Sequence, residues 1–261
     1  MIIDTHCHLD DNRYEEDFSE VLNRAKERGV QKFIIPGADP LTLKRAVELA
    51  NSYESIFFAV GVHPYDAQNY DRVLLKEYIA HPKCIAVGEC GLDYFRLPEN
   101  KDEVASYKEL QKEVFIDQIE LANSYNKPLI VHIRDASLDS KEILKEYSKS
   151  GGVLHCFNAN EGLLELSNYN FYFGIGGVVT FKNAKKLVEV LPKIPLDKIV
   201  LETDGPYLTP HPHRGKRNEP AYTKLVLNKI AEILEKDNSE LENRFFNNST
   251  RLFKGLISDN I

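Results

Sequence analysis

The sequence predicts an α/β fold, a (β/α)8 barrel, on three observations. Eight short β-type runs occur along the 261 residues, and segments of helical period lie between them. Several of the runs, such as PLIVH and KFIIP, are apolar without polar alternation, the pattern of strands covered on both faces in a parallel sheet. Eight strands with helical crossovers fit a closed barrel. An open doubly wound sheet is the competing architecture, but no G-x-G-x-x-G turn follows the first run.

In order, the strands are expected at Met1 to Thr5, Lys32 to Pro36, Ile56 to Val60, Cys84 to Gly88, Pro128 to His132, Gly152 to His155, Phe171 to Gly174 and Lys198 to Glu202. Phe18, Val21, Leu22 and Ala25 make one helical stripe, and Leu110, Val114, Phe115, Ile119 and Ala122 make a second. A third follows Pro220, with Tyr222, Val226, Ile230 and Ile233 on one face. Ser239 to Phe253 reads as a final helix packed outside the barrel. The stretch LDYFRLPENKDEV, from Leu92, reads as a long irregular loop over the barrel mouth. No repeat, low-complexity segment or linker interrupts the chain, so residues 1–261 are expected to form a single domain.

Composition narrows the functional classes. With 43% hydrophobic residues the chain can bury a large core, whereas runs such as IFFAVGV are far too short to span a bilayer. No apolar leader with basic residues before it opens the sequence, so a cytoplasmic protein with no membrane association and no obligate protein partner is expected. The four cysteines form no C-x-x-C pair and are expected as reduced thiols. A formal net charge of -7 speaks against broad coating of nucleic acid. It leaves room for a phosphate substrate drawn in by divalent cations and a few local basic residues.

Catalytic groups in such barrels come from the C-terminal ends of the strands. Here those ends carry His6 and His8, His63 in GVHP, Glu89, His132, His155, and Glu202 with Asp204, so five of the eight histidines in the chain fall at strand ends. In an extended chain, residues two apart share a face, which brings His6 and His8 together. Each residue alone has an ordinary structural explanation. Together, buried imidazoles and carboxylates would repel or lie unpaired without a cation. Nitrogen and oxygen donors suit Zn, Mn, Co or Mg, and there are enough for two ions with Glu89 between them. Paired ions are a recurring device for phosphodiester hydrolysis. Asp204 is placed to orient or deprotonate the attacking water.

Cys7, Cys90 and Cys156 each follow one of these residues and by alternation point away from the barrel axis. Arg134 shares the face of His132 and is a candidate phosphate clamp, an ion pair with a mouth carboxylate being the alternative. His63 reads as a substrate-facing donor and His81 as structural. Arg214, Lys216 and Arg217, on the loop after the eighth strand, are candidates for phosphate contact, or form a solvated basic loop. Tyr94, Phe95 and Tyr207, with Arg96, are placed either to stack bases of a single strand or to pack as a lid.

The ordered set DTHCHLD, GVHP, GECGLD, HIR, HCF, ETDGPYL and RGKRNEP resembles the TatD family of metal-dependent hydrolases, from residue 4 to residue 220. The resemblance implies a TIM barrel of the amidohydrolase type with two divalent metal ions. On matching positions it gives His6, His8, Glu89, His132, His155 and Asp204 as ligands, the set reached above from strand ends. It further implies a deoxyribonuclease, with exonuclease action on single strands and some action on RNA or tRNA-linked substrates. Asn158-Ala159 stands where a small hydroxyl residue and glycine are expected, and Gly205 where Ala or Ser is more usual. These departures lie near the mouth and bear on substrate preference.

The leading expectation is therefore a 3′-5′ exonuclease on single-stranded DNA, with Asp204, Glu89 and Glu202 catalytic and His63, Arg134, Tyr94 and Arg217 binding substrate. Two other functions fit the same residues. One is ester or amide hydrolysis on a small metabolite or an aminoacyl-tRNA; the other is a non-catalytic nucleic-acid-binding barrel that keeps metal for stability.

Overall fold

In the computed structural model, which describes residues 1–257, the eight runs form one parallel sheet ordered β1 to β8. The last four residues of the expected single domain, 258–261, lie outside the described residues. The strands are β1 Ile2–Asp4, β2 Val30–Ile35, β3 Ile56–Val60, β4 Cys84–Asp93, β5 Leu129–Arg134, β6 Gly152–Leu154, β7 Phe171–Ile175 and β8 Ile199–Leu201. Around them lie helices α1 Phe18–Glu27, α2 Leu43–Ser52, α3 Arg72–Ile79, α4 Lys101–Tyr125, α5 Ser137–Tyr147, α6 Lys185–Val190, α7 Thr223–Leu234 and α8 Asn238–Leu252. A 3₁₀ helix, Glu161–Tyr169, replaces an α-helix between β6 and β7.

Alternation sorts the apolar side chains into two layers. Ile3, Ile34, Phe57, Ile85, Ile130, Val153, Tyr172 and Val200, one from each strand, form an inward cluster. Their neighbours, among them Ile2, Phe33, Phe58, Val131, Leu154, Phe173 and Leu201, face the helices. The chain end behaves in two ways. Leu241 and Phe245 of α8 join the outer layer, as expected for an external helix, but Leu252, Phe253 and Leu256 pack with the inward cluster. No helix among the described residues is long and apolar enough to cross a membrane.

The barrel closes just past β1 and β8. The Thr5 N–H donates to the Leu201 carbonyl at 3.0 Å, the His8 N–H to Gly205 at 2.8 Å and the Asp204 N–H to His6 at 2.9 Å. Asp4 reinforces the seam from a fully buried position, accepting from the Thr203 N–H at 3.0 Å and the Thr203 hydroxyl at 2.6 Å.

One element departs from expectation. The stretch from Leu92 was expected as loop, but β4 runs on to Asp93, which pairs in register with Arg134 of β5. Two glycines and two carboxylates in GECGLD hide the strand from an apolar reading; pairing with β5 imposes it. The register slips between Val87 and Cys90, a bulge that turns the chain around Glu89. Gly88 and Gly91 have φ of 146° and 142°, open to glycine but strained for any other residue. A Cβ at Gly91 would lie 2.0 Å from the His132 carbonyl oxygen, and one at Gly88 would lie 2.4 Å from that of Ile130. Gly91→Ala is therefore expected to destabilise the protein by about 3 kcal/mol or more, read from urea unfolding. An unchanged midpoint would show that β4 does not approach β5 this closely.

Candidate metal centre

Past the apolar layer, the same inward positions turn polar. In β5, Ile130 is followed on its face by His132; after β6, Val153 is followed by His155; after β8, Val200 is followed by Glu202 and Asp204. His6 and His8 follow β1, and the β4 bulge supplies Glu89. The sequence thus builds a ring of donors by continuing the strand period beyond the core.

The ring has two halves that share Glu89. His6 Nε2 stands 3.3 Å from His8 Nε2 and 3.3 Å from Glu89 Oε2, while Asp204 Oδ1 lies 3.6 Å and 3.5 Å from those two imidazoles. The other carboxylate oxygen, Glu89 Oε1, lies 3.0 Å from His132 Nδ1, 3.9 Å from His155 Nε2 and 3.7 Å from His63 Nε2. The His6 and His155 rings stack with centroids 3.4 Å apart.

Two carboxylates stand behind the imidazoles of the ring. Asp93 Oδ2 is 2.9 Å from His132 Nε2 and orients the ring so that Nδ1 faces Glu89. Glu202 Oε1 is 3.1 Å from His155 Nδ1, too poorly aligned for a hydrogen bond, and accepts from the Cys156 N–H at 2.6 Å. Gly174 leaves room for Glu202, since a Cβ there would lie 2.2 Å from Oε2. Asp93 and Asp4 were absent from the expected site. Asp93 had a signal, four residues after Glu89 and so on one face of an extended chain, but it was read as loop.

The cluster is short of positive charge. Burial opposes charging each imidazole, yet Asp204 raises His8, Asp93 raises His132, and Glu202 pushes His155 up to about 10. Burial prevails at His6, which is lowered, and at His63, which falls to about 4. Burial would raise the Glu89 carboxyl, but His6, His132 and His155 hold it well below its usual range. A pocket that draws protons onto imidazoles also draws cations, and both compete for the same lone pairs. His6 Nδ1 and Glu202 Oε2 are buried without a protein partner. Two donor sets, His6 with His8 and Glu89, and Glu89 with His132 and His155, each have ligand atoms within 4.8 Å of one another. The residues present therefore fit a divalent metal, with nitrogen and oxygen donors throughout.

The surrounding residues divide. Arg134 is exposed, lies over the Phe95 ring at 3.5 Å and makes no ion pair among the described residues. Tyr207 is 47% exposed and meets His8 edge-on at 5.9 Å. Tyr94, expected at the substrate, instead turns to the helices: its hydroxyl donates to Asp139 at 2.8 Å and Lys108 covers its ring. Arg217 is also not free for phosphate. Its guanidinium donates to both oxygens of Asp17, to Glu219 and to the Arg13 carbonyl, and ties the loop after β8 to the start of α1. Cys7 and Cys90 lie in the outer core as expected. Cys156 does not: with β6 ended at Leu154 and φ of 44° at Cys156, alternation fails and the residue lines a cleft beside the ring. Burial, then Asp204 and Glu202, push its thiol well up, so it is a poor nucleophile.

The chain resembles known proteins along nearly its whole length. The family described as TatD related DNase matches residues 3–254. An uncharacterized metal-dependent hydrolase, YabD of Bacillus subtilis, is 45% identical over 260 residues, covering 97% of this chain and 99% of that protein. The 3′-5′ ssDNA/RNA exonuclease TatD of Shigella flexneri is 33% identical over 242 residues, covering 88% of this chain and 90% of its own. The crystal structure of YJJV, a TatD homologue from Escherichia coli K12, superposes with a TM-score of 0.88 at 30% identity, covering 97% of both chains. A donor ring at the C-terminal ends of eight parallel strands, in a chain matched along nearly its whole length, places this protein in the TatD family of metal-dependent hydrolases.

Proposed function

We propose that the protein is a two-metal phosphodiesterase that shortens single-stranded DNA from its 3′ end. The observation that carries the reading is Glu89, with one oxygen toward His6 and His8 and the other toward His132 and His155. His6, His8, Glu89 and Asp204 would hold one ion; Glu89, His132 and His155 would hold the other. Divalent ions bound there would lower the pKa of a water and neutralise charge developing on a phosphodiester.

The chain's own groups supply the rest. Asp204 Oδ1 faces both His6 and His8, and its side chain keeps 15% exposure, so it can take the proton of an attacking water. Asp93 holds His132 in orientation, and Glu202, fixed by the Cys156 N–H, places its charge 3.1 Å from His155. Arg134, free of carboxylate partners among the described residues, is available to a phosphate oxygen at the mouth. The printed name of the Shigella flexneri relative, a 3′-5′ exonuclease on ssDNA and RNA, supports the choice of substrate and polarity.

Protein stripped by chelator is expected to lose, and with Mg, Mn or Zn to regain, the shortening of 3′-labelled single-stranded DNA. Asp204→Asn, loaded to equal metal content, is expected to lower kcat about 100-fold or more. Metal uptake without shortening under any of the ions would overturn the reading. Arg134→Ala is expected to raise KM on DNA about tenfold, and unchanged steady-state constants would remove Arg134 from the substrate. Asp93→Ala is expected to weaken metal binding about 10- to 100-fold in competition with a chelating dye. Asp93→Asn, which keeps an acceptor oxygen for His132, should lose less; equal losses would show that the oxygen is not what matters.

A further inference from the structure

Beside the donor ring lies a cleft of about 540 Å³, within the range of roughly 300–1,000 Å³ typical of small-ligand sites. One wall is the ring itself, through His132, His155 and Asp204. The opposite side is formed by the start of α6 and the loops after β7 and β8. Its floor is apolar, made by buried Phe157, Ala159 and Leu187 with half-buried Val178 and Leu208. The cations Arg134 and Lys186 stand exposed at the rim with two amides, of which Asn158 already donates to the Ser137 hydroxyl and accepts from the Asn160 N–H, while Asn183 has no hydrogen-bond partner among the described residues.

This distribution decides between the parts of a nucleotide. A sugar-phosphate track needs cations along its path, and here they stand only at the rim. A base is flat and largely apolar on its faces, with hydrogen-bonding edges that suit side-chain amides. A base seated on this floor would leave its own phosphate beside Glu89 and Asp204. We propose that the cleft receives the base of the 3′-terminal nucleotide, so that the enzyme recognises a chain end by filling this space. The proposal rests on the phosphodiesterase reading above. In the cleavage it implies, the water oxygen bonds to phosphorus, the bond from phosphorus to the upstream 3′-oxygen breaks, and that oxygen takes a proton. The released nucleotide keeps its 5′-phosphate and its base remains in the cleft until it dissociates.

The test compares the metal-loaded protein on two oligonucleotides, one ending in a normal 3′ nucleotide and one ending in an abasic tetrahydrofuran residue. Removal of the normal terminal nucleotide is expected to show a kcat/KM about tenfold or more above that of the abasic one. Ala184→Phe, which places an aromatic ring into the cleft from the start of α6, is expected to bring that ratio toward one. Equal values in the unaltered protein, a comparison that requires no variant, would overturn the proposal, as would a ratio retained in a folded Ala184→Phe protein. If neither oligonucleotide is shortened with any ion while an acyl ester is hydrolysed, the phosphodiesterase reading itself falls and the cleft is an acyl site.

Discussion

Glu89 is a carboxylate only 4% exposed, set among imidazoles from four other strand ends, and the top of the barrel is arranged around the need to compensate it. A buried charge without partners would cost several kcal/mol, enough to consume much of a domain's stability. Here His6, His132 and His155 hold the group ionised. The requirement reaches outward through the structure. The bulge in β4 turns Glu89 into the ring, and the two glycines beside it let β4 lie against β5. Asp93, carried on the same strand, then orients the imidazole that faces Glu89.

The same arrangement explains which neighbours serve chemistry and which serve shape. Charges that already have partners, such as Arg217 on Asp17 and Glu219, fasten the loop after β8 to the entrance of α1. Tyr14 works in the same direction, its hydroxyl donating to the Asn218 carbonyl at 2.6 Å from full burial. Arg134 has no carboxylate partner among the described residues and faces the mouth, whereas the Tyr207 ring there is covered by the Arg13 guanidinium. The difference lies not in residue type but in whether a partner has already been found.

Much of this was legible in the sequence, because parallel strands are continuous apolar runs and the donors prolong their period. The eight strands appear where the apolar runs lie, and His132, His155, Glu202 and Asp204 follow on the inward face. Legibility ended where alternation ended. The bulge at Glu89 let β4 extend to Asp93 through residues that look like loop, and the left-handed turn at Cys156 moved a thiol from the helix side into the cleft. Arg217 was misread for another reason. Glu219, two residues on, is visible locally, but Asp17, which takes both ends of the guanidinium, lies 200 residues away in the chain and nothing local announces it.

The seam between β1 and β8 has a consequence for the history of the molecule. Asp4 and Thr203, which lock that seam, are separated by 199 residues, and the two sides of the first donor set, His6 and His8 on one and Asp204 on the other, by nearly as many. A ribosome must therefore deliver the chain through Asp204, of 261 residues, before the ring can be complete. Any polypeptide cut short before β8 holds His6 and His8 without Asp204, and a barrel without its closing edge. Loss of the first donor set and loss of the closed barrel are therefore one event in a truncated chain.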